Sequence, residues 1–321
     1  MKLCTLDNGT PDGRLVVVCA RGQRFLGADG IAPNMQGALE AWPQCLPGLE
    51  RLAGRLASGD GEPLDAQRLR APLPRSWQWL DGSAFMSHGE LMQIAFAAVP
   101  VPTDRPLMYQ GLSDRFYGPY DDIPMTDESL GIDFEGEFGV IVDAVPIAVT
   151  PDAALSHIKL IVQINDWSLR TLAPIEMKTG FGWVQAKPAC SAAPFAVTPD
   201  ELGHDWRNGR VCLDLKVDWN GNRFGRANGE PMAYGFHELI AHAARTRSLP
   251  AGTIIGSGTV SNADYRMVGS SCIAERRAIE LVDTGAPITP FMHFGESVRM
   301  EARSRDDTLL FGPIEQKVVQ A

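Results

Sequence analysis

The sequence predicts an α+β protein that is mostly β, with its larger part built as a mixed β-sandwich or β-roll. Short apolar or alternating stretches recur along the chain, which is typical of β-strands. They are not separated by helices in a repeating βαβ order, and this disfavours a doubly wound parallel sheet. The 321 residues, 45% of them hydrophobic, suffice for one large domain and a small companion.

Residues 1–72 are predicted to form a small N-terminal α/β domain, and residues 73–321 the larger one. Leu15–Cys19 has the composition of a strand, and residues 35–56 show helical spacing of Leu, Ala and Trp interrupted by prolines. Because a residue before proline is pushed out of the helical region, the prolines of residues 71–74 predict an extended connector.

The larger part is predicted to be rich in strands, with a few helices. Thr150-Pro151-Asp152 is a helix start with a capping residue and proline in the first turn. Residues 160–164 form an apolar run typical of a buried strand. Residues 211–219 alternate strictly and are followed by Asn220-Gly221, which predicts a strand and hairpin.

Further along, residues 234–247 have the pattern of an amphipathic helix that ends before Pro250. Three more short stretches are predicted as strands: residues 254–260, 278–282 and 298–302.

Charge and cysteine content restrict the partners and the compartment. The net charge of −10 argues against nucleic acid or an anionic membrane surface as a partner. No run approaches the about 20 apolar residues that span a membrane, and the N-terminus has no apolar signal core. The six cysteines contain no C-x-x-C pair, which indicates free thiols. We expect a cytoplasmic protein.

The stretch 133–142 alternates residue by residue and, after Asp133, carries Glu135 and Glu137 among Phe, Gly, Val and Ile. Side chains at i and i+2 of a strand share a face, so Glu135 and Glu137 are predicted to point the same way. Neighbouring carboxylates on an apolar strand repel each other unless a cation neutralises them, and a hard divalent cation takes oxygen ligands. A solvent-facing edge strand is the alternative.

Three other segments carry polar groups without an evident structural need: residues 81–88, 165–170 and 185–191. In chain order, the sequence shows the E-x-E strand, then Asn-Asp-Trp-Ser-x-Arg, then a lysine in a Gly-Phe…Lys-Pro context, then Ser-Gly-Thr-Val-Ser-Asn. With this ordered set the chain resembles the fumarylacetoacetate hydrolase family over essentially its whole length. The resemblance implies a C-terminal domain of the fumarylacetoacetase type.

The resemblance implies a metal centre held by Asp81, Glu135, Glu137 and Asp166. An all-oxygen set suits Mg²⁺, Ca²⁺ or Mn²⁺ rather than zinc. Two alternatives concern single residues: Asp81 precedes Gly82 as a turn aspartate would, and Asp166 could cap a following helix.

The resemblance also implies the catalytic groups. His88 matches a general base and Glu275 the acid that orients it, while Arg170 and Lys187 match cations that stabilise developing negative charge. An ordinary loop lysine is the alternative for Lys187. The residues that match substrate-binding positions are Tyr109, Ser191 and Thr259.

Three positions depart from the pattern of the enzyme that names the family. Ala97, Ala173 and Met177 stand where that enzyme has an arginine, a glutamine and a tyrosine that contact substrate or oxyanion. The departures leave the metal centre intact but argue against fumarylacetoacetate itself as the substrate.

The resemblance implies a metal-dependent hydrolase that cleaves a C–C bond in a small diketo or oxo acid, in aromatic-compound catabolism. A decarboxylase, hydratase or isomerase of 2-oxo acids on the same scaffold is the alternative, and a non-catalytic oxo-acid-binding relative is a third. The family pattern also implies a homodimer.

Overall fold

The computed structural model describes residues 1–95, 104–304 and 307–321; Ala97 lies outside the described residues. The strands are β1 Lys2–Leu6, β2 Arg14–Val18, β3 Arg24–Gly27, β4 Glu62–Pro63, β5 Trp79–Gly82, β6 Met108–Gly111, β7 Ile123–Met125, β8 Ile132–Asp133, β9 Gly136–Val142, β10 Ile158–Asn165, β11 Ser168–Leu169, β12 Ser191–Ala192, β13 Phe195–Val197, β14 Trp206–Arg207, β15 Arg210–Val211, β16 Asp214–Trp219, β17 Asn222–Asn228, β18 Ile254–Gly256, β19 Ser297–Arg303 and β20 Ile314–Gln320. The helices are α1 Met35–Glu40, α2 Trp42–Ala57, α3 Met86–Ala95, α4 Pro151–Ala154, α5 Ala173–Thr179, α6 Phe236–Ala243, α7 Tyr265–Val268 and α8 Ile273–Thr284.

Two mixed sheets form the body of the described structure. The larger has the order β4-β3-β2-β1-β13-β10-β9-β18-β5-β6, with β12 also paired to β10. The smaller has the order β17-β16-β19-β20-β7. β18 pairs with β5, and β20 with β7, in parallel. β9 pairs antiparallel with both of its neighbours, β10 and β18. The predicted α+β, mostly β architecture is confirmed.

The central strand β9 shows how both faces of the larger sheet are buried. Phe138 and Val140 lie in the core shared with Leu215 of β16 and Met300 of β19, between the two sheets. Ile141 faces the other way, into a core closed by helices α1 and α2. Because side chains alternate along a strand, one strand contributes to both layers.

The N-terminal segment contributes strands to the larger sheet. Lys2 of β1 pairs with Val197 of β13, and β2, β3 and β4 extend the sheet beyond β1. Pro43 lies in the first turn of α2, whereas Pro47 lies inside that helix. The division into domains at residue 72 stays a prediction, and the sheet runs across it.

Several local predictions agree with the structure. Thr150 caps α4 by accepting a hydrogen bond from the Ala153 N–H at 3.4 Å. The apolar run at 160–164 lies within β10, and residues 298–302 lie within β19. The predicted strand 254–260 is shorter, since β18 ends at Gly256. The predicted helix 234–247 is represented by α6.

The prediction of a strand at 278–282 is wrong, because these residues lie in helix α8. Cys272 caps the helix at one end, and Gly285 closes the other with φ 84°. Its buried side chains, Ile273, Ala274, Ala278 and Ile279, follow helical spacing. A short, mainly apolar stretch of five residues does not distinguish a strand from part of a helix, and here the helix caps decide.

The predicted continuous strand at 133–142 is interrupted. β8 ends at Asp133 and β9 begins at Gly136, so Glu135 lies between them. Its backbone forms an isolated bridge to Cys272, and its N–H donates to Asn165 Oδ1 at 3.0 Å. Among the described residues, no helix has the length and apolar character to cross a membrane.

Candidate metal and catalytic site

Three buried carboxylates meet at the ends of β5, β9 and β10. Asp81 lies in β5, Glu137 in β9, and Asp166 directly follows β10. One oxygen atom of each lies within 4.8 Å of those of the other two. Gly256 of β18 is opposite Asp81, and a Cβ there would approach Asp81 Oδ1 to 2.3 Å. We call these three residues the carboxylate trio.

The trio has the properties of a cation site. Both carboxylate oxygens of Glu137 are buried and have no hydrogen-bond partner among the described residues. Burial raises the pKa of Glu137 well above its usual value, and repulsion from Asp81 and Asp166 raises it further. Burial and Asp166 likewise raise the pKa of Asp81. A hard divalent cation would satisfy these oxygens and remove the repulsion, so the residues fit Mg²⁺, Ca²⁺ or Mn²⁺.

Glu135, the other predicted metal ligand, contacts two cationic side chains. Its Oε1 accepts a hydrogen bond from Arg170 Nη2, and its Oε2 accepts one from Lys187 Nζ at 2.6 Å. Burial alone would raise its pKa, but Arg170 and Lys187 outweigh burial and lower the pKa below the usual range. Glu135 therefore carries its negative charge in the absence of a metal ion.

Lys187 connects Glu135 to the trio. Its Nζ also donates to Asp166 Oδ2 at 2.6 Å, and the side chain is buried. Burial would lower the pKa of Lys187, but Asp166 and Glu135 together raise it above the usual value. This lysine is charged and tightly held, unlike an ordinary loop lysine.

Arg170 is fixed by a second carboxylate, that of Asp133. Arg170 Nε donates to Asp133 Oδ2 at 2.7 Å, and Asp133 accepts the backbone N–H groups of Ile273 and Ala274 at 2.7 and 2.9 Å. These N–H groups belong to the first turn of α8, where a helix favours negative charge. The helix thus orients Asp133, and Asp133 orients Arg170.

His88 and Glu275 form a hydrogen-bonded pair between helices α3 and α8. His88 Nδ1 lies 2.8 Å from Glu275 Oε2, and Glu275 is fully buried. Ser270 Oγ lies 3.0 Å from the other carboxylate oxygen, Oε1. The two helices pack through Leu91, Ala278 and Ile279, and this packing fixes the position of His88 relative to Glu275.

The three predicted substrate-binding residues have different surroundings. Tyr109 donates to Asp166 Oδ2 at 2.7 Å, and burial together with Asp166 raises its pKa well above the usual value. Ser191 Oγ accepts the indole N–H of Trp167 at 2.9 Å, and Ser191 is fully buried. Thr259 is buried and follows Gly258, whose φ of +75° turns the chain towards Asp81. The Gly258 N–H donates to Asp81 Oδ1 at 3.1 Å.

Two departures from the family pattern lie in helix α5. Ala173 is buried at its start, whereas the Met177 side chain is 53% exposed. Met177 therefore presents an apolar surface to solvent in this conformation.

The sequence did not single out several residues that contact the site. Cys190 Sγ donates to Asp166 Oδ1 at 2.9 Å, Trp183 packs edge-on against Tyr109 at 4.6 Å between ring centroids, and Asp133 binds Arg170. Cys190 and Asp133 lie inside the segments 185–191 and 133–142, which were chosen for their polar groups, but neither residue was assigned a role. Their proximity along the chain to Ser191 and Glu135 was the available signal.

Comparison with known proteins identifies the family. Residues 78–319 match the family described as fumarylacetoacetate (FAA) hydrolase C-terminal, and residues 1–75 match fumarylacetoacetase N-terminal domain 2. The chain is 29% identical over 164 residues to 2,4-didehydro-3-deoxy-L-rhamnonate hydrolase of Sphingomonas sp. (strain SKA58), covering 50% of this chain and 54% of that enzyme. The alignments span about half the length of the curated relatives.

Solved structures share the fold along the whole chain. Maleylpyruvate hydrolase from Sphingobium sp. SYK-6, in complex with manganese(II) ion and pyruvate, has a TM-score of 0.67 at 18% identity, with 100% of both chains covered. A 5-carboxymethyl-2-hydroxymuconate delta-isomerase from Mycobacterium smegmatis has a TM-score of 0.62 at 17% identity, with 100% of this chain and 99% of that chain covered. These relatives are hydrolases and an isomerase. Because the family match covers residues 78–319, the chain belongs to the fumarylacetoacetate hydrolase family.

Proposed function

We propose that this protein is a divalent-cation-dependent hydrolase that cleaves a C–C bond in a small diketo or oxo acid resembling an acylpyruvate or fumarylacetoacetate. The observation that carries the proposal is the His88–Glu275 pair, at 2.8 Å, in the same buried network as three carboxylates that can hold a cation. A base that can activate water and a cation site are the two parts that such a hydrolysis needs.

Asp81, Glu137 and Asp166 would hold Mg²⁺, Mn²⁺ or Ca²⁺, with Glu135 as the fourth ligand that the family resemblance implies. When bound, the cation supplies Lewis-acid polarisation of the substrate's oxygen atoms. The manganese in the maleylpyruvate hydrolase complex supports a divalent cation for this fold.

The His88–Glu275 pair supplies the base. Glu275 accepts the Nδ1–H of His88, which fixes the tautomer and leaves Nε2 free to accept a proton. Nε2 takes a proton from water, and the resulting hydroxide attacks the substrate carbonyl carbon. The C–C bond beside that carbon then breaks, its electron pair passes to the departing carbon as an enolate, and that carbon takes up the proton carried by His88 Nε2, which restores the base.

Lys187 and Arg170 would stabilise the negative charge that develops on the attacked oxygen. Both are held in place by carboxylates, Lys187 by Asp166 and Arg170 by Asp133. Fixed cations in a buried site cost little reorganisation during the reaction. Tyr109, Ser191 and Thr259 are proposed to bind the substrate's oxo and carboxylate groups.

The test is cleavage of a panel of acylpyruvates and fumarylacetoacetate by Mg²⁺- or Mn²⁺-loaded protein. We expect His88→Ala to lower kcat by about 10²–10⁴-fold, the usual contribution of a general base. His204→Ala, an exposed histidine in another part of the chain, is the matched control and should keep wild-type kcat. Failure of the loaded protein to cleave any diketo acid would refute the proposal.

A decarboxylase, hydratase or isomerase of 2-oxo acids is the second candidate, supported by the structural likeness to the delta-isomerase. Full turnover of such an acid by His88→Ala would favour it, because those reactions need not activate water through the His88–Glu275 pair. A role in aromatic-compound catabolism, a homodimer and a cytoplasmic location are further proposals. Growth of a deletion strain on aromatic compounds, sedimentation equilibrium and cell fractionation would test them.

A further inference from the structure

A second group of metal-ligand atoms lies next to the carboxylate trio. His88, Glu135 and Cys272 each offer one ligand atom, and these atoms lie within 4.8 Å of one another. The group combines nitrogen, oxygen and sulfur, whereas the trio offers oxygen alone. We call it the mixed cluster.

The fold holds the three members of the mixed cluster in place. Cys272 caps helix α8, and its Sγ accepts the Glu275 backbone N–H at 3.3 Å. The isolated bridge between Glu135 and Cys272 keeps their backbones together. Glu275 binds Nδ1 of His88, which leaves Nε2 for another partner. A metal-binding histidine almost always donates its other ring N–H to a carboxylate, a backbone carbonyl or water, and Glu275 is such a partner for His88 here.

The net negative charge of this region matches in magnitude the charge of two divalent cations. Among the described residues, the connected network contains two cations, Lys187 and Arg170, and six buried carboxylates: Asp81, Asp133, Glu135, Glu137, Asp166 and Glu275. The excess is four negative charges when all are ionised. One divalent cation in the trio would leave two negative charges uncompensated.

Glu135 can turn to a metal without leaving its present partners unpaired. Arg170 would keep Asp133, to which Nε donates at 2.7 Å. Lys187 would keep Asp166 at 2.6 Å. Neither buried cation would lose its last carboxylate, so the main cost of such an exchange, an unpaired buried charge, is avoided.

We propose that His88, Cys272 and Glu135 form a second metal site, which binds a zinc-like divalent cation while the carboxylate trio binds a hard cation. In this state Glu135 ligates the second ion instead of joining the trio as its fourth ligand. Thiolate and imidazole ligands favour Zn²⁺ over Mg²⁺ or Ca²⁺, and three protein ligands leave a fourth position for water. Binding would release the thiol proton of Cys272 to solvent. It would also occupy His88 Nε2, so the bound ion would inhibit hydrolysis; this consequence rests on the proposed function.

Cobalt(II) is the probe, because a thiolate bound to Co²⁺ gives a charge-transfer absorption in the near ultraviolet that oxygen ligands do not give. The full chain is first saturated with Mg²⁺ to fill the trio and then titrated with Co²⁺. We expect the band in the wild type and its loss in Cys272→Ser. Cys190→Ser is the matched control, since Cys190 adjoins Asp166 of the trio and should be dispensable for the band.

Zinc stoichiometry provides a second measurement, by equilibrium dialysis of the Mg²⁺-saturated protein. We expect His88→Gln and Cys272→Ser each to weaken zinc binding by about 100-fold or more, since even outer partners of a metal ligand account for 10–100-fold. His88→Gln leaves Cys272, the cap of α8, unchanged. The proposal can therefore still be tested with this variant if Cys272→Ser fails to fold. Absence of the band in the wild type, or its loss only in Cys190→Ser, would overturn the proposal. Both measurements need no substrate, so failure of the hydrolase assignment leaves them interpretable.

Discussion

Replacing Glu137 by glutamine should stabilise the metal-free protein while abolishing its stabilisation by metal. Both carboxylate oxygens of Glu137 are buried without a hydrogen-bond partner in the part of the chain that the structure describes, in a group that includes Asp81 and Asp166. A glutamine of the same shape carries no charge, and its amide can donate to a neighbouring carboxylate. Because an unsatisfied buried polar group costs about 1–3 kcal/mol, we expect the free energy of unfolding without metal to rise by about 1–2 kcal/mol.

Metal should reverse the order of stability of the wild type and Glu137→Gln. A cation at 100 times its dissociation constant stabilises a folded protein by about 2.7 kcal/mol, so the wild type should gain that amount and Glu137→Gln little or none. The assay is urea unfolding followed by tryptophan fluorescence, with EDTA and with MnCl₂.

Glu301→Gln is the matched control for this experiment. Its carboxylate is also largely buried, but it accepts hydrogen bonds from Arg299 and Arg303 at 2.7 and 2.8 Å. This substitution should therefore destabilise the protein with and without metal. If Glu137→Gln destabilises the metal-free protein as Glu301→Gln does, Glu137 is a structural carboxylate and the reasoning is refuted.

Three further outcomes are expected. Asp133→Asn should lower the free energy of unfolding by about 3 kcal/mol in urea, because it leaves Arg170 without one of its buried partners; an unchanged midpoint would contradict this. Gly256→Ala should weaken Mn²⁺ binding by about tenfold or more in calorimetry, since the added Cβ would displace Asp81, and wild-type affinity would count against the trio as the site. Burial lowers the pKa of Lys2 from 10.5 to about 8, so the unfolded chain binds more protons between these values. The stability of the wild type relative to Lys2→Met should therefore rise with pH from 8 to 10.5 and fall as the pH drops through 8; a constant difference would exclude this pKa.

The ordered motifs allowed the site residues to be predicted from the sequence, although their roles remain proposals. Glu137, Asp166, His88 and Glu275 are separated along the chain, yet two of the predicted groupings are close in space: Glu137 with Asp166, and His88 with Glu275. The motifs could predict these groupings because each of the four residues lies at the end of a strand or in the first turn of a helix, where its spacing within the motif fixes its position.

Other features depend on contacts that no local pattern contains. The expectation that Glu135 and Glu137 share one environment was too simple, because the chain leaves the strand at Glu135 and two cations bind its carboxylate. Asp133 is oriented by a helix that begins 140 residues later. The prediction of a strand at 278–282 was wrong for the same kind of reason, since the residues that cap the helix, Cys272 and Gly285, lie outside that stretch.

The pairing of β1 with β13 has a consequence for attempts to produce the larger part alone. Val197, Ala196 and Phe195 of β13 are paired with Lys2, Leu3 and Cys4. Deleting residues 1–72 would expose the backbone donors and acceptors of β13 along one side, together with buried apolar side chains. An open apolar edge is a template for pairing with other chains, so the truncated protein should aggregate. The N-terminal strand thus protects the remainder of the chain from self-association.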